Sequence, residues 1–283
     1  MEPGAVRLRV ADLDRERGFY ERALGLRAVE VSEGFARLGA DGSVAVELTQ
    51  NREAAPRPPG TTGLFHMAIL VPGRRELAAA LMRVIHAGWR LSGASDHLVS
   101  EALYLSDPEG NGIEIYRDRP REEWQHEDGA IRMSTLPLDV DDLVAQLDDP
   151  GEAPDAMAPG TRIGHVHLNV ADLDDAEAFY GGVLGFDVTV RGYPGALFLS
   201  TGGYHHHIGV NTWAGHGAPA PPPGSRGLDW FELVVEAPRQ LAELERRLAD
   251  AGAEVERASG CLRTADPSGN GLLLRAGRSA PYT

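Results

Sequence analysis

Three short stretches hold the side chains best suited to bind a metal: LFHMAILV (64–71) with His66, RIGHVHLNV (162–170) with His165 and His167, and GNGIEIY (110–116) with Glu114. A fourth, GGYHHHIGVNTW (202–213), places His205, His206 and His207 side by side. All four read as strand-like, and side chains in a strand alternate between faces. His165 and His167 therefore share a face, Glu114 points away from Ile113 and Ile115, and at most two of the three adjacent histidines can serve one site. Two imidazoles and one carboxylate form the facial set that suits non-haem Fe(II) and leaves coordination positions open. Zinc, manganese or nickel would accept the same ligands. The bland alternative for Glu114 is a half-exposed strand with its carboxylate on the wet face.

These residues sit in a repeated chain. RVADLDRERGFYERALGLR (9–27) returns as NVADLDDAEAFYGGVLGFD (169–187), and YLSDPEGNGIEIY (104–116) returns as RTADPSGNGLLLR (263–275). Each half divides again into a strand, a helix and further strands. The opening strands are AVRLRV (5–10), LFHMAILV (64–71), IGHVHLNV (163–170) and LDWFELVV (228–235). Helices are expected over 14–24, 74–87 and 239–250, and further strands at 35–38, 44–49, 101–105 and 112–116. The pattern predicts an α+β protein of four βαβββ modules that form two curved-sheet cups. Modules 1 and 2 make a domain over 1–118, a connector rich in acidic residues and proline follows over 119–162, and modules 3 and 4 make a domain over 163–283. The connector carries an apolar patch, MSTLPLD (133–139), and a Pro/Gly run at 214–227 reads as either a passive link or a rigid lid.

The candidate ligands are unevenly spread over the modules. His66 and His165 superpose when the opening strands are aligned, whereas modules 1 and 4 carry Ala5 and Trp230 there. Module 4 has Leu273 where module 2 has Glu114. Only modules 2 and 3 together supply two histidines and a glutamate, so a single metal site requires those two modules to share a cup. Pairing of modules within each half, without a metal, is the alternative. His97 and Tyr104 precede Glu114 by 17 and 10 residues, on segments expected to line one wall. A buried hydroxyl and imidazole need partners, which a substrate oxygen can provide.

The chain has 283 residues, 42% hydrophobic and 24% charged, with a net charge of −15. That charge disfavours nucleic acid and an anionic membrane surface as partners. Cys261 is the only cysteine, which excludes an internal disulfide and fits a reducing cytoplasm. No stretch is apolar enough for a membrane span or a secretory leader, so a cytoplasmic protein is expected. A homo-oligomer is left open.

The VADL…FY helix openings, the DPEGNGIE ending and the four modules resemble the vicinal oxygen chelate superfamily. Within it, SDHLVSEALYLSDPEGNGIEIYRDRPREEW, IGHVHLNVADLDDAEAFYGGVLGFD and GGYHHHIGVNTWAG resemble the bacterial two-domain catechol 2,3-dioxygenases. The resemblance implies the glyoxalase/extradiol dioxygenase fold, and Fe(II), with Mn(II) as alternative, held by His165, His66 and Glu114. It implies a small aromatic diol and dioxygen as substrates, and ring opening to a muconic semialdehyde. It places a catalytic histidine in HHIGV, at His206 with His207 in reserve. It gives Tyr104 the role of orienting the substrate hydroxylate and sets His97 in the surrounding shell. One departure is plain: in the better-known two-domain enzymes all three ligands lie in the C-terminal domain, which here retains only His165. A cup from modules 2 and 3 resembles instead the pairing of some monomeric four-module glyoxalases. Glyoxalase-type isomerase or lyase chemistry, for which Glu47 would be a candidate fourth carboxylate, and non-catalytic small-molecule binding are the alternatives.

Overall fold

A computed structural model describes residues 1–127, 130–149, 151 and 153–277. Residues 128–129, 150 and 152 of the expected connector, and 278–283 of the expected second domain, lie outside the described residues. Module 1 comprises β1 (Glu2–Val10), α1 (Leu13–Phe19), β2 (Arg27–Ser32), β3 (Phe35–Ala40) and β4 (Ser43–Gln50). Module 2 comprises β5 (Gly63–Leu70), α2 (Arg74–His86), β6 (Gly93–Asp96), β7 (Ser100–Ser106) and β8 (Gly112–Asp118). The connecting segment adds the short strands β9 (His126–Glu127), β10 (Ala130–Ile131) and β11 (Leu136–Pro137), and then α3 (Val140–Val144). Module 3 comprises β12 (Arg162–Asn169), α4 (Leu173–Glu177), β13 (Asp187–Val190), β14 (Ala196–Ser200) and β15 (Ile208–Asn211). Module 4 comprises β16 (Gly227–Val235), α5 (Pro238–Asp250), β17 (Glu256–Ala258), β18 (Cys261–Ala265) and β19 (Gly271–Ala276).

Two large sheets result. One runs β11-β6-β7-β8-β5-β12-β15-β14-β13 and joins modules 2 and 3; the other runs β17-β18-β19-β16-β1-β4-β3-β2 and joins modules 4 and 1. Within each module the first strand lies parallel to the last, as β5 does to β8 and β12 to β15. The modules meet first strand to first strand, antiparallel, at the β5/β12 and β1/β16 seams. Among the described residues no helix is long and apolar enough to cross a membrane.

The helices pack on these sheets through apolar stripes. α2 buries Leu77, Ala78, Leu81 and Val84, and α5 buries Leu241, Leu244 and Leu248 at helical spacing. The helix expected over 14–24 is shorter: α1 stops at Phe19 and a π-helical turn, Tyr20–Leu24, completes it. That wider turn carries Tyr20 inward, where its hydroxyl donates to buried Asp107 at 3.0 Å. Module 3 repeats the arrangement, with Tyr180 donating to Asp266 at 2.9 Å. Both aspartates also hold their turns through the asparagine four residues on. The repeated FY and DPxGN motifs are thus two ends of one structural clamp. β2 was invisible to alternation because all six of its residues are exposed on a sheet edge.

Candidate metal centre

The β5/β12 seam and its neighbour β8 build the site. Across these strands His165 stands opposite Ala68, Ala68 beside Glu114, and Glu114 opposite Tyr104 on β7. Ala68 carries only a methyl group, which leaves space between His165 and Glu114. His66, two residues along β5, faces His167 across the seam. Glu114 Oε2 ends 3.2 Å from His165 Nε2 and 3.0 Å from His66 Nε2. One ligand atom from each of the three residues lies within 4.8 Å of the others, and all three side chains are buried.

The donor set fits a divalent cation. The approach of His66 Nε2 to the carboxylate lacks hydrogen-bond geometry, and this nitrogen has no partner of its own. Burying such a nitrogen beside a carboxylate, unpaired, is costly unless a cation takes its lone pair. Burial opposes ionisation of Glu114, but the imidazoles of His165 and His66 outweigh it and hold its carboxyl well below the usual range. Burial in turn pushes His165 below the ordinary histidine range, toward the neutral form in which an imidazole ligates a metal. A His2Glu metal-binding triad compatible with a divalent cation is therefore present.

The triad opens into a cavity of about 430 Å³. Tyr104 and His97 line it as a linked pair: His97 Nδ1 lies 2.7 Å from the Ser134 carbonyl and Nε2 2.7 Å from the Tyr104 hydroxyl. A carbonyl only accepts, so His97 Nδ1 carries the proton toward Ser134, and in that tautomer Nε2 accepts a hydrogen bond donated by the Tyr104 hydroxyl. Burial, reinforced by Glu114, drives the Tyr104 phenol well above its ordinary range and keeps it neutral. His206 lines the same cavity, with its ring centroid 4.1 Å from that of His165. Burial and the neighbouring histidines hold it well below the ordinary histidine range.

The histidine trio differs from the alternating strand expected. Gly202 and Gly203, with φ of 65° and 68°, turn the chain, and β15 begins only at Ile208. The three rings consequently go three ways. His205 bonds Asp118, His206 enters the cavity, and His207 bonds Ser200 and Thr201 while stacking on Tyr204. His207 does not line the metal cavity; it borders a separate one of about 310 Å³ beside Met1 and Arg162.

The sequence sets His167 on the His165 face without assigning it a role, and other lining residues carry no signal at all. His167 lines the cavity with its Nε2 unpartnered, its imidazole driven down by burial, and Gly209 beside it leaves room for the ring. Its i+2 relation to His165 was the available signal. Phe65, Phe198, Tyr193 and Trp213 form an aromatic side of the cavity, which no spacing foretold. Met133, Ser134 and Thr135 of the connector's apolar patch also line it, because β11 pairs with β6. The Pro/Gly run at 214–227 contributes no lining residue; it is hydrogen-bonded to the loop between β4 and β5, Thr62 donating to the Pro219 carbonyl and Arg226 to that of Ala55. Glu47 lies on the other sheet, bonded to Arg7 and Arg37.

Residues 3–115 and 162–272 match the Glyoxalase/Bleomycin resistance protein/Dioxygenase superfamily. A catechol-2,3-dioxygenase of Bacillus subtilis (strain 168) is 44% identical over 269 residues, covering 93% of each chain. Among solved structures, a B. subtilis protein provisionally called a dioxygenase superposes with a TM-score of 0.68 at 12% identity, covering 98% of this chain and 86% of that one. Glyoxalase I of Zea mays gives 0.61 at 16% identity, covering 98% and 93%. The chain belongs to the vicinal oxygen chelate superfamily of glyoxalases and dioxygenases.

Proposed function

We propose that the protein is an Fe(II)-dependent extradiol dioxygenase that opens the ring of catechol, or of a substituted catechol, with dioxygen. The product is of the 2-hydroxymuconic semialdehyde type. The observation that carries this reading is the buried His66–Glu114–His165 triad at the floor of a cavity that His206, Tyr104 and His97 also line. The 44% identity to a catechol-2,3-dioxygenase supports it. Bound there, the metal supplies a common coordination sphere for the vicinal diol and dioxygen, with Mn(II) the alternative occupant.

The protein's own groups orient the diol and handle its proton. Tyr104, neutral and tethered to His97, stands opposite Glu114 to orient a substrate oxygen. His206, neutral in its buried setting, accepts a diol proton and returns it later. Phe65, Phe198, Tyr193 and Trp213 exclude water around the ring. Among the described residues no lysine or arginine lines the cavity. A substrate carboxylate would find no counter-ion, so an uncharged catechol is the favoured substrate. The cavity is built from one chain, whatever its oligomeric state. A reducing cytoplasm suits both the lone cysteine and a ferrous site.

The test is reconstitution with Fe(II) in the absence of oxygen, followed by catechol and air. The yellow ring-cleavage product is expected, and carboxylated catechols should turn over poorly. Unchanged catechol across a panel of substituted substrates, at stoichiometric iron, would sink the dioxygenase reading.

A further inference from the structure

Asp118, His205 and His206 form a chain of two hydrogen bonds that ends at the cavity. His205 is wholly buried; its Nε2 lies 2.8 Å from Asp118 Oδ1 and its Nδ1 2.8 Å from Nδ1 of His206. A carboxylate can only accept, so the first contact requires a proton on His205 Nε2. In the neutral form of His205 the single N–H is the one given to Asp118, which leaves Nδ1 bare. The second contact joins two ring nitrogens, one of which must donate, and the donor is therefore His206 Nδ1. The lone pair of His206 then sits on Nε2. Among the described residues that nitrogen has no hydrogen-bond partner.

We propose that Asp118 and His205 are positioning residues that lock the tautomer of His206, so that it meets the substrate through an unprotonated Nε2. An unlocked imidazole favours the opposite tautomer in water, with the proton on Nε2, and would present a donor where an acceptor is needed. The orienting carboxylate of a nucleophile–histidine–aspartate triad acts on one ring; here the instruction passes through a second.

The surroundings hold the chain in place. Asp118 ends β8, the strand that carries Glu114, and both its oxygens accept from the Tyr204 hydroxyl at 3.0 Å. Tyr204 in turn pairs with the Tyr116 hydroxyl at 2.8 Å, and the Trp124 ring lies 5.4 Å from His205. The other sheet has no counterpart. Pairing of Gly209 with His167 and of Glu47 with Arg7 aligns the trio with Ser43, Val44 and Ala45. The lock is used for catalysis only if the dioxygenase reading holds, but its existence is independent of that reading.

The experiment measures ring-nitrogen NMR shifts of [15N]histidine-labelled, metal-free protein, with His206 assigned by the His206→Gln variant. His206 should be protonated at Nδ1 and bare at Nε2, and His205 the reverse. His205→Phe should move His206 toward the Nε2–H form. After Fe(II) loading it should lower kcat by about 100-fold, with KM and metal content unchanged. His205→Gln, whose carbonyl can accept from His206 while its amide donates to Asp118, should keep the tautomer and most of the rate. A proton on His206 Nε2 in the unaltered protein would overturn the proposal, as would a His205→Phe variant with wild-type tautomer and kcat. The tautomer without any catechol cleavage would uphold the lock and refute the dioxygenase reading.

Discussion

The two seams, β5/β12 and β16/β1, are built alike and filled differently. At the first stand His66, His165, His167 and Glu114; the corresponding places at the second hold Trp230, Ala5, Arg7 and Leu273. Gly209, which gives the His167 ring its space, is matched by Glu47, which reaches Arg7 at 2.5 Å. Trp230 covers the Arg7 guanidinium at 4.6 Å, and Arg37 and the Glu232–Arg275 pair complete a closed set of charges. The second face pairs its buried carboxylates with arginines and leaves the Trp230 Nε1 without a partner, whereas the first leaves three imidazole nitrogens, His66 Nε2, His165 Nδ1 and His167 Nε2, without protein partners. Unpaired buried polar atoms are tolerated where something else binds them. The duplicated scaffold thus keeps one face for a ligand and spends the other on stability.

The largest effect should come from the triad. His66→Ala, His165→Ala or Glu114→Ala should each abolish metal binding and lower turnover by at least about 1000-fold. Trp230→Phe on the other seam should leave turnover within about twofold, read by steady-state kinetics on iron-loaded protein. A smaller contrast separates two buried tyrosines. Tyr104→Phe should lower kcat by about 100-fold with little loss of stability. Tyr20→Phe, which breaks the clamp to Asp107, should lower stability by about 1–3 kcal/mol in urea titrations and spare kcat. Of the same size, Arg7→Leu leaves Glu47 buried with only Arg37, and should cost about 2 kcal/mol of stability with unchanged kcat.

The subtlest contrast is between Glu16 and its counterpart in module 3, Ala176. Glu16 is wholly buried with neither carboxylate oxygen hydrogen-bonded; burial, with Asp107 and Glu109 nearby, pushes it from 4.5 to about 9. The folded state holds this proton up to about pH 9, while the unfolded chain releases it near 4.5. Its contribution to stability is therefore complete below 4.5 and is lost as pH rises through that window, at about 1.4 kcal/mol per pH unit at most. Glu16→Gln should flatten this decline. Its advantage in thermal melts should be absent at pH 4 and grow toward pH 8. A gain equal at both ends would contradict the assignment.

Much of this was legible because periodicity and duplication survive in the chain. The repeated motifs gave the modules, and the uneven placement of His66, His165 and Glu114 pointed to a cup shared by modules 2 and 3. What stayed hidden depends on long-range geometry. The three directions of His205, His206 and His207 follow from a glycine turn, not from strand alternation. Met133–Thr135 reach the cavity only because a two-residue strand joins a distant sheet edge. The partnership of Asp118 with His205 spans 87 positions, with no local pattern to announce it.

The central claim is that one seam binds one metal ion through residues of both halves. Equilibrium binding of Fe(II) under anaerobic conditions, with metal counted per chain, tests it most directly. One ion per chain is predicted for the unaltered protein and for Trp230→Phe, and none for His66→Ala or His165→Ala alone. Retention of the ion when either histidine is removed, or two ions per chain in the unaltered protein, would contradict it.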